Sequence, residues 1–278
     1  MAHATPRTVW ITGASSGIGR ALAHRYARDG ARLVLSARRV HLLESLRAEL
    51  PASTDVRLEP LDLTDLTAIQ RSARAVLDWS GGVDVLVNNA GVSHRSHILD
   101  TEEQVEQHMM AVNYLGPVAL TRAVARDMVR RGRGRVVNVS SVTGYVATPG
   151  KAAYAASKHA LRGWSDALRA ELYPFGVTVT VVCPGFVRTD IGRSALDGSG
   201  APMAVDDPAV HKGMPPEAAA ERIFQAARRG RREVQFGGLE VLTIYLKRFT
   251  PGFGAWLLAK VYERLDQEAA RIDTPTSV

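Results

Sequence analysis

The sequence predicts an α/β protein: a doubly wound, seven-stranded parallel sheet with helices on both faces, followed by a C-terminal helical extension. Three observations carry that expectation. Strand-like and helix-like segments alternate along the chain, which is the pattern of βαβ units with right-handed crossovers. Several strand segments are continuous apolar runs, as strands covered on both faces must be. A glycine-rich turn joins the first strand to the first helix.

The elements follow in order. TVWIT (8–12) leads into GIGRALAHRYARDG, and RLVLS (32–36) into VHLLESLRAEL. VRLEP (56–60) precedes LTAIQRSARAVLDW, and VDVLV (83–87) follows it. A long helical stretch from about Thr101 to Arg131 precedes RVVNVS (135–140). A helix over about Ala152–Tyr173 precedes VTVTVVC (177–183), and PPEAAAERIFQAARRG precedes EVQF (233–236). Residues 1–238 therefore read as one catalytic domain.

Two segments break the rhythm. Residues 190–215 are rich in Gly, Pro, Asp and Ser and follow a strand's C-terminal end, where open α/β sheets bind ligands; they read as a lid. Residues 239–278 form the extension, in which apolar residues accompany Lys247, Arg248, Lys260 and Arg264, and Pro251-Gly252 divides two helices. That pattern suits packing on its own domain, on a partner subunit or on a membrane surface.

Composition narrows the class. A hydrophobic fraction of 46% and a charged fraction of 23% are those of a soluble globular protein. No apolar run reaches the ~18 residues of a membrane span, and no secretory signal is visible, so a cytoplasmic protein is expected. The single Cys183, in TVTVVCP, reads as an inert buried thiol. The net charge of +7 includes RRGRGR (130–135) and RRGRR (228–232), each where a helix ends and cations complement its dipole. Neither a nucleic-acid module nor aromatic interleaving accompanies them. His94, His97 and His108 lack metal-ligand spacing and read as loop or surface residues; no metal is expected.

TGASSGIG contains the phosphate-binding signature. Gly13, Gly17 and Gly19 allow a tight turn and close approach of a pyrophosphate, with Ser15, Ser16 and Ile18 between them and free N–H groups at the helix start. The second strand ends in SARR: Ala37 stands where an NAD site carries a carboxylate, and Arg38 and Arg39 suit a 2′-phosphate. NADP(H) is therefore expected over NAD(H). Asp62, beside Leu63 after the third strand, reads as an adenine contact or a turn former.

TGASSGIG, NNAG (88–91) and YAASK (154–158), in this order, make residues 7–190 resemble the short-chain dehydrogenase/reductase family, with its Rossmann-type fold. The resemblance implies that Asn88 stabilises the sheet and that Asn89, Ala90 and Gly91 line the cofactor site. It implies a catalytic set of Ser141, Tyr154, Lys158 and Asn113. Pro184-Gly185 match the family's motif after the sixth strand, and Val187 and Thr189 follow, Thr189 placed to reach the nicotinamide amide. Tyr154 would be the proton donor, Lys158 its tuning charge and ribose ligand, Ser141 the holder of the substrate oxygen, and Asn113 the anchor of a proton-relay water. Ser141 is preferred to Ser140 because only one can face the site from a strand end, and Ser157 reads as structural. A homodimer or homotetramer through the long helix and the Tyr154 helix is implied as well. The extension is similar to that of family members that contact membranes and act on steroids or lipids.

The function expected is an NADP(H)-dependent oxidoreductase interconverting a carbonyl and an alcohol of apolar character, to which Met203, Met214, Phe249 and Trp256 would contribute. The alternative is a non-catalytic NADP(H)-binding regulator or a membrane-surface scaffold on the same fold.

Overall fold

The apolar runs fold as β1 (Thr8–Thr12), β2 (Arg32–Ser36), β3 (Val56–Leu58), β4 (Val85–Asn88), β5 (Gly134–Val139), β6 (Val177–Pro184) and β7 (Glu233–Phe236). In this computed structural model they form one parallel sheet in the order β3-β2-β1-β4-β5-β6-β7. The structure describes residues 7–205, 208–257, 259–260 and 263. Helices α1 (Gly17–Arg28), α2 (Val40–Glu49), α3 (Leu66–Ser80), α4 (Glu103–Met110), α5 (Gly116–Arg131), α6 (Ala152–Leu172), the short α7 (Pro208–His211), α8 (Pro216–Arg228) and α9 (Leu242–Phe249) complete it. The chain is helical again over 251–257.

Alternation along each strand sorts the core into two layers. Val9, Ile11, Val85, Val87, Val137 and Val139 face α1, α2 and α8, whereas Trp10, Leu86 and Val136 face α3, α5 and the end of α6. The first layer includes an edge-on Tyr26–Phe224 pair at 5.2 Å, with the Arg25 guanidinium 3.5 Å from the Phe224 centroid. Doubly wound architecture follows from these two apolar faces.

Boundaries shift where side chains intervene. β4 begins at Val85, not Val83, because the Asp84 carboxylate takes the Thr8 N–H at 3.0 Å and binds Arg131 at 2.9 Å. β3 stops before Pro60, which has no N–H to donate. The long helix starts at Glu103 and widens into a π-helical turn over Ala111–Leu115, which carries Asn113. Four residues after Asn113, Pro117 has no N–H to return to the Asn113 carbonyl, a local cause for the widening. The basic clusters do lie at the ends of α5 and α8, and Arg131 is held by Asp84 and Asp127.

The start of the extension lies on its own domain. Ile244 is 5% exposed and packs with Val142 and Val146, and Lys247 Nζ donates to the Tyr145 carbonyl at 2.7 Å. Leu242, Tyr245, Phe249, Phe253 and Trp256 are exposed. Arg264, the remainder of the extension, and Asp206 and Asp207 of the expected lid lie outside the described residues. No helix among the described residues is long and apolar enough to cross a membrane.

Candidate active site

A cleft of about 850 Å³ opens at the C-terminal ends of the central strands, where β1 and β4 part toward opposite sides. One end is the glycine-rich turn. A Cβ on Gly13 would lie 2.7 Å from Ala90 Cα, and one on Gly19 would lie 2.2 Å from the Gly13 carbonyl oxygen. The turn therefore packs directly on the NNAG segment, which only glycine permits. Asn89 fastens the contact: its Nδ2 donates to Thr12 O at 3.1 Å and Gly13 O at 3.3 Å. Ser16 caps α1 without a side-chain bond, which leaves the first N–H groups of that helix uncapped by it, and Ser15, Ser16 and Ile18 line the cleft at this helix start. This cradle fits a dinucleotide pyrophosphate.

Two guanidinium groups flank the adjoining wall. Arg39 donates to Ser15 Oγ and Ser16 Oγ, each at 3.3 Å. Arg38 lies near Asp62. Burial opposes the charge on Asp62, but two 2.8 Å bonds from Thr64 and the nearby Arg38 hold its carboxyl below the usual carboxylate range. Asp62 thus forms the turn while it also lines the cleft, as do Leu63, Ala90 and Gly91.

At the other end Tyr154, Ser141 and Lys158 converge. Tyr154 and Lys158 are 8% and 3% exposed, and Lys158 Nζ is 5.7 Å from the Tyr154 ring centroid. Lys158 Nζ donates to the Val139 carbonyl at 3.0 Å. Ser141 bonds to the Tyr154 phenol and also accepts the Thr143 N–H at 3.1 Å, while Ser140 turns away to the Lys158 carbonyl. Ser157 bonds Asn113 at 3.0 Å and the Tyr154 carbonyl at 2.7 Å, deep in the core. Asn88 Nδ2 donates to Thr121 on α5 and to Asn138 on the neighbouring strand β5.

Burial dominates the electrostatics of both groups. Burial pushes the Tyr154 phenol up to about 12, and only the Ser141 bond opposes it. Burial likewise brings Lys158 down to about 8. The Lys158 ammonium is tied to the Val139 carbonyl at the floor of the cleft. Cys183, 0% exposed, is pushed up by burial and is inert in character.

The Asn113 side chain is held by protein partners. Its Oδ1 accepts the Val92 N–H, and its Nδ2 donates to the Val92 carbonyl and to Ser157, so both amide hydrogens are taken by protein. His94, expected in a loop or at the surface, is fully buried against α6 because its ring accepts the Tyr154 N–H. Glu240 and Thr243 of the extension line the cleft, and Glu240 Oε1 accepts the N–H groups of Phe186 and Gly238, both at 2.9 Å. Both contributions escaped sequence reasoning; an acidic residue two positions after Gly237-Gly238 was the available sign. Pro184, Gly185, Val187 and Thr189 border the cleft, and Thr189 Oγ1 donates to the Val187 carbonyl at 3.4 Å. The 190–205 part of the expected lid is bound to the loop after β4, through Leu196 N to Ser93 O at 2.9 Å and Glu102 N to Gly198 O at 2.9 Å. Among the described residues no cluster of His, Cys, Asp or Glu is arranged to hold a metal ion.

Comparison with known proteins agrees with this geometry. Residues 7–199 match the family described as short chain dehydrogenase, and the chain belongs to that family. A Drosophila melanogaster relative described as a dehydrogenase/reductase SDR family protein 7-like is 40% identical over 267 residues, covering 94% of this chain and 82% of its own. The human dehydrogenase/reductase SDR family member 7 is 44% identical over 201 residues, covering 70% of this chain and 59% of its own. Among solved structures, a short-chain dehydrogenase from Streptomyces avermitilis superposes with a TM-score of 0.77 at 31% identity, covering 97% of this chain and 99% of its own. An alcohol dehydrogenase from Thermococcus sibiricus, complexed with 5-hydroxy-NADP, has a TM-score of 0.73 at 28% identity and covers 84% of this chain and 97% of its own. A short chain dehydrogenase/reductase from Burkholderia phymatum, in complex with NAD, has a TM-score of 0.77 at 27% identity and covers 87% of this chain and 93% of its own.

Proposed function

We propose that the protein is an NADP(H)-dependent oxidoreductase that interconverts a ketone or aldehyde and an alcohol of apolar character. The observation that carries this reading is the convergence of Tyr154, Ser141 and Lys158 in the same cleft as the glycine cradle and the two guanidinium groups. The nicotinamide, when bound, supplies the hydride and, once oxidised, a positive charge beside the phenol. The protein's own residues do the rest. A phenol held near 12 stays protonated at neutral pH, so Tyr154 is a proton donor to a developing alkoxide. Ser141, already bonded to that phenol, orients the same oxygen. Lys158 holds ribose hydroxyls.

Arg38 and Arg39 support the preference for NADP(H), because Ala37 leaves no carboxylate to repel a 2′-phosphate. Residues 190–215 serve as a lid over the substrate. Homodimerisation through α5 and α6 and a cytoplasmic location complete the reading. The exposed aromatic and aliphatic side chains of α9 and 251–257, with Lys247 and Arg248 beside them, suit contact with an anionic membrane surface. The competing reading, cofactor binding without turnover, has no missing member of the constellation to support it.

The test is a panel of ketones, aldehydes, steroids and fatty-acyl carbonyls scored by NADPH and NADH consumption. Turnover with NADPH on apolar members is expected. Tight NADPH binding with no turnover on any member would leave the sensor reading in its place.

A further inference from the structure

Helix α6 starts without help from its own sequence. Its N-cap residue, Lys151, makes no side-chain cap bond. Tyr154 is the third residue of the helix, and its N–H is one of the four that no helix satisfies internally. The acceptor comes from another part of the chain: His94 Nδ1, 3.3 Å from the Tyr154 nitrogen. A ring nitrogen that accepts carries no proton, so the hydrogen of the neutral ring is on Nε2. Nε2 is itself buried with no protein partner, a cost that a ring present only to fill space would not justify. The backbone beside His94 is zipped to the segment over the cleft, through Leu196 N to Ser93 O at 2.9 Å and Arg95 N to Leu196 O at 2.8 Å.

We propose that His94 is a positioning residue for the Tyr154 proton donor: its neutral ring caps the catalytic helix and ties that helix to the 190–205 segment. The inference rests on the reading of Tyr154 as the acid. Protonation would remove the acceptor and set a cation at the positive end of α6. Burial and Lys151, at the start of α6, both oppose the cation, and Glu106 on α4 favours it; the first two prevail.

Three substitutions separate this role from plain packing. H94N keeps an acceptor near the Nδ1 position, H94Q moves it outward, and H94L removes it. H94L and H94Q are expected to lower kcat about fivefold, the equivalent of one helix cap, with the NADPH dissociation constant unchanged. Hydrogen exchange at the Tyr154 amide should quicken in both, and H94N should recover both readouts. Should H94L not fold, the H94N and H94Q pair carries the comparison. Equal kcat and equal Tyr154 exchange in all variants would overturn the proposal, as would imidazole nitrogen shifts showing the proton on Nδ1. A wild-type protein inert toward every carbonyl would sink the oxidoreductase reading alone, because amide exchange is read without turnover.

Discussion

The side-chain amide of Asn113 meets both main-chain polar groups of Val92, accepting from its N–H and donating to its carbonyl, each at 2.9 Å. The π-helical turn of the long helix thereby fixes the segment just beyond Gly91. Asn113→Ala leaves two part-buried backbone groups of Val92 without this partner, at up to about 1–3 kcal/mol each. Urea denaturation should show that loss. Asn113→Asp should be as damaging, since a carboxylate then faces the Val92 carbonyl. Wild-type stability in both variants would show that the clamp contributes nothing.

Tyr154→Phe removes the proposed acid and keeps the ring. Turnover should fall about 10²–10⁴-fold, the usual worth of a positioned proton donor. NADPH binding, followed by fluorescence, should stay near wild type. Near-normal reduction by this variant would refute the mechanism.

Lys158 and Tyr154 act on stability in opposite directions. Lys158 falls from an ordinary 10.5 to about 8, so the unfolded chain binds the extra proton between those values and stability rises with pH there. Tyr154 rises from 10.0 to about 12, so its contribution is whole below 10 and is lost as pH climbs toward 12. Denaturation midpoints should climb above pH 8 until the buried Cys183 thiol, from about pH 9, and the Tyr154 and Tyr26 phenols, from about pH 10, turn the trend downward. Lys158→Met should flatten the climb and keep the decline; an unchanged climb would mean the lysine is better solvated than its burial implies.

Arg38→Ala and Arg39→Ala should each weaken NADPH about tenfold, the scale of a lost charge-assisted hydrogen bond. NADH should be little affected. Parallel titrations of both nucleotides decide it, and equal losses for the two would remove the basis for the preference.

Glu240→Ala frees the N–H groups of Phe186 and Gly238 at the rim of the cleft. KM for the carbonyl substrate should rise several-fold with KM for NADPH unchanged. An effect on NADPH alone would place Glu240 with the cofactor instead.

The sheet was legible in the sequence because strands buried on both faces must be apolar throughout, and TGASSGIG needs its glycines for contacts that a Cβ would block. The cluster of Tyr154, Ser141 and Lys158 was legible through spacing. What stayed hidden depends on long-range partners. Nothing near VSHRS shows that His94 will turn inward, since the N–H it meets is sixty residues away. The widened turn at Asn113 had a sign in Pro117, but the partner, Val92, did not. Likewise, burial of Lys158 against the Val139 carbonyl, which brings its value down, is a property of packing and not of the YAASK spacing.

Ala90 forms the floor beneath Gly13, although 77 positions separate them in the chain. A nascent or truncated chain that ends before β4 has the glycine turn but nothing for it to rest on. On the proposed reading, nucleotide affinity would appear only once β4 has joined β1, and a bound dinucleotide would shift the balance toward the assembled sheet. Cofactor loading would then report that these two distant segments have met.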